Sequence, residues 1–95
     1  MSPATCPFCT IHPDRTIAAA PLAFAIRDGF PISPGHTLII PRRHVGSWFE
    51  ATADEREAIT TLLDACKSLL DREFQPAAYN IGINDGPAAG QTVPH

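Results

Sequence analysis

The sequence predicts an α+β fold, in which one long helix covers one face of an antiparallel sheet. Two observations support this prediction: a single long stretch of helical periodicity, and several short strand-like stretches joined by brief connections. The first two strand-like stretches, 16–20 and 23–27, are separated only by Pro21 and Leu22. A connection this short makes neighbouring strands antiparallel, so we expect a sheet built of hairpins.

Taken in chain order, three strands precede the helix and at least one follows it. The predicted strands cover residues 16–20, 23–27, 36–40 and 78–83. The helix is predicted over 53–74, where apolar residues recur at helical spacing and Thr52 and Glu55 form a capping box. The final "TVPH" is interpreted as the opening of one more strand, so we expect the last strand of the sheet to be incomplete.

Composition sets limits on the class of protein. The 95 residues are expected to form one domain, and no apolar run approaches the ~20 residues that a membrane span needs. Seven basic and ten acidic side chains give a net charge of −3 without a basic cluster, which argues against long nucleic acid as a partner. The start "MSPATCPFC" lacks the features of a secretory signal, and three cysteines make a poor disulfide framework. We therefore expect a soluble, cytoplasmic protein.

Cys6 and Cys9 form a C-x2-C pair, in which a tight turn brings two thiolates together as a tetrahedral zinc ion requires. The pair is only half of a zinc site, so imidazoles must complete it. Four histidines are available for this: His12, His36, His44 and His95. Two free thiols or a redox pair are the alternatives, and the redox pair is disfavoured because no βαβ pattern follows. Cys66 lies on the apolar face of the predicted helix and is interpreted as a small buried hydrophobe.

The segment "NDGPAAGQTVPH", residues 84–95, is rich in groups that can hold a phosphate. Gly86 and Gly90 allow backbone N–H groups to approach an anion, and the side chains of Asn84, Gln91 and Thr92 add donors on either side. The pattern is not that of an ATPase P-loop. A turn between two strands without a ligand is the alternative interpretation.

These stretches together resemble the zinc-containing branch of the histidine triad (HIT) nucleotide hydrolases and transferases. The resemblance covers essentially the whole chain and is carried by "CPFC", "AFAIRDGFPISPGHTLIIPRRH" and "YNIGINDGPAAGQTVPH". It implies a structural zinc ion held by Cys6, Cys9, His44 and His95. It also implies that His36 supports the catalytic centre, while His12 is left as an alternative zinc ligand.

The resemblance further implies a nucleotide site and a homodimer. Asp28 would accept hydrogen bonds from the ribose hydroxyls, and Ile26 and Arg27 would flank the base. The residues expected to hold the α-phosphate are Asn84, Gly90, Gln91 and Thr92. On this basis the chain divides into a zinc knuckle at 1–15, a sheet and helix core at 16–83 and a phosphate-binding loop at 84–95.

In the family, a His-φ-His-φ-His motif, φ being apolar, supplies the nucleophile. His95 matches its first histidine, and the second and third are not among the 95 residues. The resemblance implies hydrolysis or transfer at the α-phosphate of dinucleoside polyphosphates or nucleoside phosphoramidates, through a nucleotidyl-histidine. Because the nucleophile is missing, we expect a fragment that is itself inactive. A non-catalytic zinc- and nucleotide-binding domain is the alternative.

Overall fold

A three-stranded antiparallel sheet and one long helix make up the fold, which confirms the predicted α+β class. The structure is a computed structural model that describes residues 5–28, 34–91, 93 and 95. The strands are β1 (Thr16–Ala19), β2 (Ala23–Arg27) and β3 (Thr37–Pro41), arranged in the order β1-β2-β3. The helix α1 covers Ala53–Phe74 and contacts all three strands. The predicted bounds of these elements differ from the observed ones by at most one residue.

The central strand β2 is buried on both faces. Phe24 pairs with Ile40 and Ile26 pairs with Leu38, so these side chains share one face of the sheet. They form the core cluster, which is covered by Phe8 and Ile11 from the N-terminal segment. Ala23 and Ala25 point to the opposite face and are also fully buried. Small side chains at these two positions let α1 approach the sheet closely.

The ends of α1 follow the chemistry that the sequence predicts. The Thr52 hydroxyl accepts a hydrogen bond from the Glu55 N–H, and the Glu55 carboxylate accepts one from the Thr52 N–H, which confirms the capping box. Gln75 adopts a left-handed conformation with φ 47° and ends the helix. Cys66 is 2% exposed, and this burial raises the pKa of its thiol, as expected for a core side chain.

Within the part of the chain that the structure describes, no helix is both long enough and apolar enough to cross a membrane.

The predicted fourth strand at 78–83 is not formed, so that prediction was wrong. Alternating apolar residues favour an extended chain, but a strand also needs a neighbour for its backbone hydrogen bonds, and none of the described residues pairs with this segment. Ile81 and Ile83 are therefore 66% and 60% exposed.

The predicted opening of a last strand is likewise absent at Gln91, Val93 and His95, and Thr92 and Pro94 lie outside the described residues.

A buried carboxylate links the start of α1 to the end of β3. Glu55 is 4% exposed, and its Oε1 lies 2.8 Å from Nη2 of Arg43. This guanidinium, together with the Thr52 N–H, lowers the pKa of Glu55 to about 2. Since the folded-state pKa is lowered, the pair stabilises the fold above the unfolded-state pKa and loses its effect as the pH falls towards 2.

We expect Glu55→Gln to lower the free energy of unfolding by about 1 to 2 kcal/mol near neutral pH, a value reduced by the exposure of Arg43. Urea unfolding of the wild-type protein and the variant measures this difference, which should shrink below about pH 4. Glu57→Gln, an exposed neighbour on the same helix, is the matched control and should have little effect. A difference between the Glu55 variant and the wild type that does not change with pH would contradict this account.

Candidate metal centre and adjacent loop

The structure brings together the four residues predicted to hold zinc. The ligand atoms of Cys6, Cys9, His44 and His95 all lie within 4.8 Å of one another. A turn closed by the hydrogen bond from the Cys9 N–H to the Cys6 carbonyl oxygen, 3.2 Å long, places the two thiols side by side. His44 follows the end of β3 by three residues, and Cys6 is buried while the other three are half-buried. Chain segments far apart in sequence therefore meet at one point.

The distances within this cluster suit a tetrahedral metal ion. Nδ1 of His95 lies 3.3 Å from Sγ of Cys6, 3.5 Å from Sγ of Cys9 and 3.2 Å from Nδ1 of His44. A zinc ion with Zn–S bonds of about 2.3 Å and Zn–N bonds of about 2.0 Å would hold such atoms roughly 3.3 to 3.6 Å apart. The donor set, two sulfurs and two nitrogens, is also one that zinc prefers.

The protonation of His95 also fits a metal site. Nε2 of His95 donates to the Pro41 carbonyl oxygen at 2.7 Å, so the lone pair of the neutral ring lies on Nδ1, facing the cluster. Burial, with a smaller effect of His44, lowers the pKa of His95 and favours this neutral form. Burial, together with a hydrogen bond to Cys6, raises the pKa of the Cys9 thiol. A metal must displace that proton, so we expect binding to weaken as the pH falls.

The other two histidines lie outside the cluster. Nδ1 of His12 accepts a hydrogen bond of 3.2 Å from the Asp14 N–H and caps the short 3₁₀ turn Pro13–Arg15. Nδ1 of His36 lies 3.1 Å from Oδ2 of Asp28, without the alignment of a hydrogen bond. His12 is thus not placed as a metal ligand in this structure. Two imidazoles set against the thiol pair favour a metal site over free thiols or a redox pair.

The predicted phosphate loop folds into a compact turn. Its centre is the 3₁₀ turn Pro87–Ala89, flanked by Gly86 and Gly90 with φ of 91° and 95°, a region that favours glycine. The Gly90 N–H donates to the Pro87 carbonyl oxygen, and the Gln91 N–H donates to the Gly86 carbonyl oxygen. These backbone donors are used within the loop itself.

The Gln91 side chain braces this loop from inside. Its Oε1 accepts a 2.7 Å hydrogen bond from the Gly86 N–H, and its Nε2 donates to the carbonyl oxygens of Gly46 and Val93 at 2.9 and 3.1 Å. Both hydrogens of the Gln91 amide are therefore used in bonds to the backbone. From the sequence, Gln91 was predicted to donate to the phosphate instead. Thr92, predicted for the same role, lies outside the described residues.

Asn84 presents a side-chain amide to solvent. Its side chain is exposed and makes no hydrogen bond with the residues that the structure describes. It lies across the loop from Gly90, where an added Cβ would come within 3.4 Å of Asn84 Nδ2. This distance is an ordinary van der Waals contact, so glycine is favoured at position 90 by its φ of 95°.

The three residues predicted to contact the ribose and the base of a nucleotide differ from one another in burial and in hydrogen bonding. Asp28 is half-buried at the end of β2 beside His36. The Arg27 guanidinium donates to Thr37 Oγ1 and to Glu73 Oε2, both at 2.6 Å, which fixes it to the sheet and to α1. Ile26 is fully buried under the N-terminal segment. The predicted base contact of Ile26 does not fit this structure, because a side chain without exposed surface cannot reach a ligand.

Asp85, a residue of this loop, was not among the site residues predicted from the sequence. Its Oδ2 accepts hydrogen bonds from Ser47 Oγ at 2.9 Å and from the Trp48 N–H at 3.0 Å. The only signal in the sequence is an aspartate directly before a turn glycine, and this does not indicate a bond to a segment 37 residues away.

Comparison with known proteins identifies the family to which this chain belongs. The HIT domain profile matches residues 10–95, so the chain belongs to the HIT family, and the resemblance stated from the sequence is confirmed. The C-x2-C pair at Cys6 and Cys9 lies just ahead of the matched stretch.

Several relatives have named activities. The chain is 36% identical over 85 residues to a bifunctional bis(5'-adenosyl)-triphosphatase/adenylylsulfatase of Arabidopsis thaliana, covering 90% of this chain and 47% of the relative. It is 43% identical over 65 residues to the asymmetrical bis(5'-nucleosyl)-tetraphosphatase of Schizosaccharomyces pombe, covering 68% of this chain and 36% of the relative. The chain thus spans about half the length, or less, of these relatives.

A solved structure adds a metal to this comparison. The zinc-bound histidine triad family protein of Mycobacterium smegmatis superposes with a TM-score of 0.86 at 28% identity, covering 99% of this chain and 71% of the other. That protein is zinc-bound, and this chain has a Cys/His cluster that could hold a metal ion.

Proposed function

We propose that this chain binds nucleotides and provides the binding part of a HIT-type enzyme that acts on dinucleoside polyphosphates or nucleoside phosphoramidates. The observation that carries the proposal is the braced glycine loop, which exposes the Asn84 amide and is hydrogen-bonded to residues 46–48, two residues after His44 of the Cys/His cluster. The relatives named as a triphosphatase and a tetraphosphatase act on substrates of the first kind. The reaction would be hydrolysis or transfer at the α-phosphate.

The ribose and the α-phosphate of a nucleotide would each meet a group with suitable chemistry. The Asp28 carboxylate can only accept hydrogen bonds when ionised, which suits the two ribose hydroxyls. The Asn84 amide can donate to an α-phosphate oxygen and offset the negative charge that develops in the transition state. Gln91 supports the loop that carries Asn84, and it would contact a phosphate only after releasing Gly46 or Val93.

The proposed zinc ion has a structural role. Two thiolates and two imidazoles complete a four-coordinate shell, which leaves no position for a water molecule or substrate. Bound zinc would join the N-terminal turn to the end of β3 and to His95, and so hold the segment that follows the loop. The zinc ion would therefore take no part in the attack on the phosphorus atom, which needs a nucleophile outside the metal site.

The family reaction through a nucleotidyl-histidine requires a histidine that faces the phosphate. The four histidines of this chain have other surroundings: His44 and His95 lie in the cluster, His12 caps a turn, and His36 lies against Asp28. We therefore propose that these 95 residues bind nucleotide without turning it over, in agreement with the expectation from the sequence.

We expect Asp28→Ala to weaken AMP binding roughly tenfold or more, since hydrogen bonds to a charged group are lost. Binding of 2'-deoxy-AMP should weaken less, because this ligand has already lost one of the two hydroxyls. Isothermal titration calorimetry with both ligands measures the two changes. Asp14→Ala, which removes an exposed carboxylate elsewhere, is the matched control.

Equal weakening for the ribose and deoxyribose ligands would remove Asp28 from the ribose contact. No binding of AMP by the zinc-loaded wild-type chain would overturn the proposed function as a whole.

A further inference from the structure

The loop 84–91 is fastened to the rest of the protein at both of its ends. At its start, Asp85 Oδ2 accepts hydrogen bonds from Ser47 Oγ and from the Trp48 N–H. At its end, Gln91 Nε2 donates to the Gly46 carbonyl oxygen. Both attachments lead to the same short segment, 46–48, which begins two residues after His44. The loop therefore rests on the segment that leaves the metal cluster.

This segment is itself held in place by the helix. Arg56 Nη2 donates to the Trp48 carbonyl oxygen at 3.1 Å, and its guanidinium lies 5.3 Å from the centre of the Trp48 ring. Ser47 Oγ also accepts from the Phe49 N–H and so caps the 3₁₀ turn Trp48–Glu50. Asp85 is thus bonded to a segment that lies between the cluster and α1 and is itself hydrogen-bonded to α1.

From these contacts we propose that Asp85 is a positioning residue, which holds Asn84 and the glycine loop in place relative to the metal centre. Asp85 directly follows Asn84, so its two hydrogen bonds fix the backbone from which the Asn84 side chain projects. Its carboxylate is used by Ser47 and Trp48, and Asp85 is therefore assigned no contact with the nucleotide. The effect on nucleotide binding rests on the proposed function, whereas the effect on the loop does not.

Local exchange of backbone amide hydrogens distinguishes a positioning residue from one that only stabilises the whole fold. Loss of the anchor should open the loop alone, because the loop bonds do not belong to the sheet or the helix. In Asp85→Ala we expect the amides of Gly86, Gly90 and Gln91 to exchange about tenfold or more faster. The amides of Leu62 and Cys66, in the buried part of α1, should keep their wild-type rates.

Two further variants sharpen the exchange measurement, made by NMR on the zinc-loaded chain. Asp85→Asn keeps one oxygen that can accept both hydrogen bonds, so it should restore most of the loop protection. Ser47→Ala removes one of the two donors and should have an intermediate effect. Asp64→Ala, an exposed acid on α1, is the control and should leave the loop unchanged.

The proposal is overturned if Asp85→Ala leaves the loop rates unchanged, or if the loop and α1 accelerate by the same factor. Binding of AMP gives a second readout: Asp85→Ala should raise its Kd about tenfold, and Asp85→Asn should bring it back towards the wild-type value. If the wild-type chain binds no AMP, the proposed function fails, and the exchange rates still decide the role of Asp85.

Discussion

Removal of the proposed zinc ion is expected to lower the melting temperature of the protein by about 10 °C or more. For a domain of this size, 1 kcal/mol shifts the melting temperature by about 4 to 8 °C, and structural zinc contributes several times that energy. The effect should be large here because the cluster joins the N-terminal turn, the end of β3 and His95. Without the metal, the buried Cys6 and the imidazole of His95 lose their common partner.

Metal analysis and thermal unfolding, with and without a chelator, test this expectation. Cys9→Ser and His95→Ala should abolish stoichiometric zinc and melt like the chelated wild type. His12→Ala should keep the metal, since His12 lies outside the cluster. Cys66→Ala should lose stability without losing zinc, because Cys66 is buried in the core. A purified wild-type protein that contains no zinc would falsify the metal assignment.

The second large effect concerns turnover. The 95-residue chain is expected to release no nucleoside monophosphate from an adenosine phosphoramidate or a dinucleoside polyphosphate. A chain in which φ-His-φ-His-φ follows His95 should gain activity by several orders of magnitude, since loss of a covalent nucleophile costs this much. The added strand should also bury apolar surface worth ~1.5 to 3 kcal/mol per large side chain.

A matched pair of extended chains separates the chemistry from the added stability. Replacing the second histidine of the motif by alanine should keep the gain in melting temperature and lose the gain in turnover. Asn84→Ala in the active extended chain should lower kcat, because the phosphate loses a donor. Comparable turnover by the original and extended chains, lost on Asn84→Ala, would show that the nucleophile lies within these 95 residues.

The sequence was sufficient to predict the elements whose hydrogen bonds are local. The helix Ala53–Phe74 has its own cap and periodicity, and a short connection joins the strands β1 and β2. The local sequence pattern was therefore enough to predict these three elements. The segment 78–83 has an equally clear pattern of alternation. It failed as a prediction because a strand depends on a partner, and alternation does not specify one.

In the candidate site, too, the sequence indicates which side chains can bind a ligand but not which groups they contact in the fold. The C-x2-C pair and the family resemblance led to the four clustered residues. The roles of Gln91 and Asp85 could not be found in this way, because an amide or carboxylate in a glycine-rich loop can bind a ligand or brace the backbone equally well. Only the positions of Gly46, Ser47 and Trp48 distinguish these two roles.

The contact between Cys6 and His95 joins residues 89 positions apart, so a bound metal would close almost the entire chain into a ring. We expect such a contact to form late in folding, because closing a long loop costs entropy before the contact contributes any stabilisation. An interaction absent from the folding transition state slows unfolding and leaves the folding rate nearly unchanged. The metal would therefore act chiefly on the lifetime of the native state and on its resistance to proteases that attack opened chains.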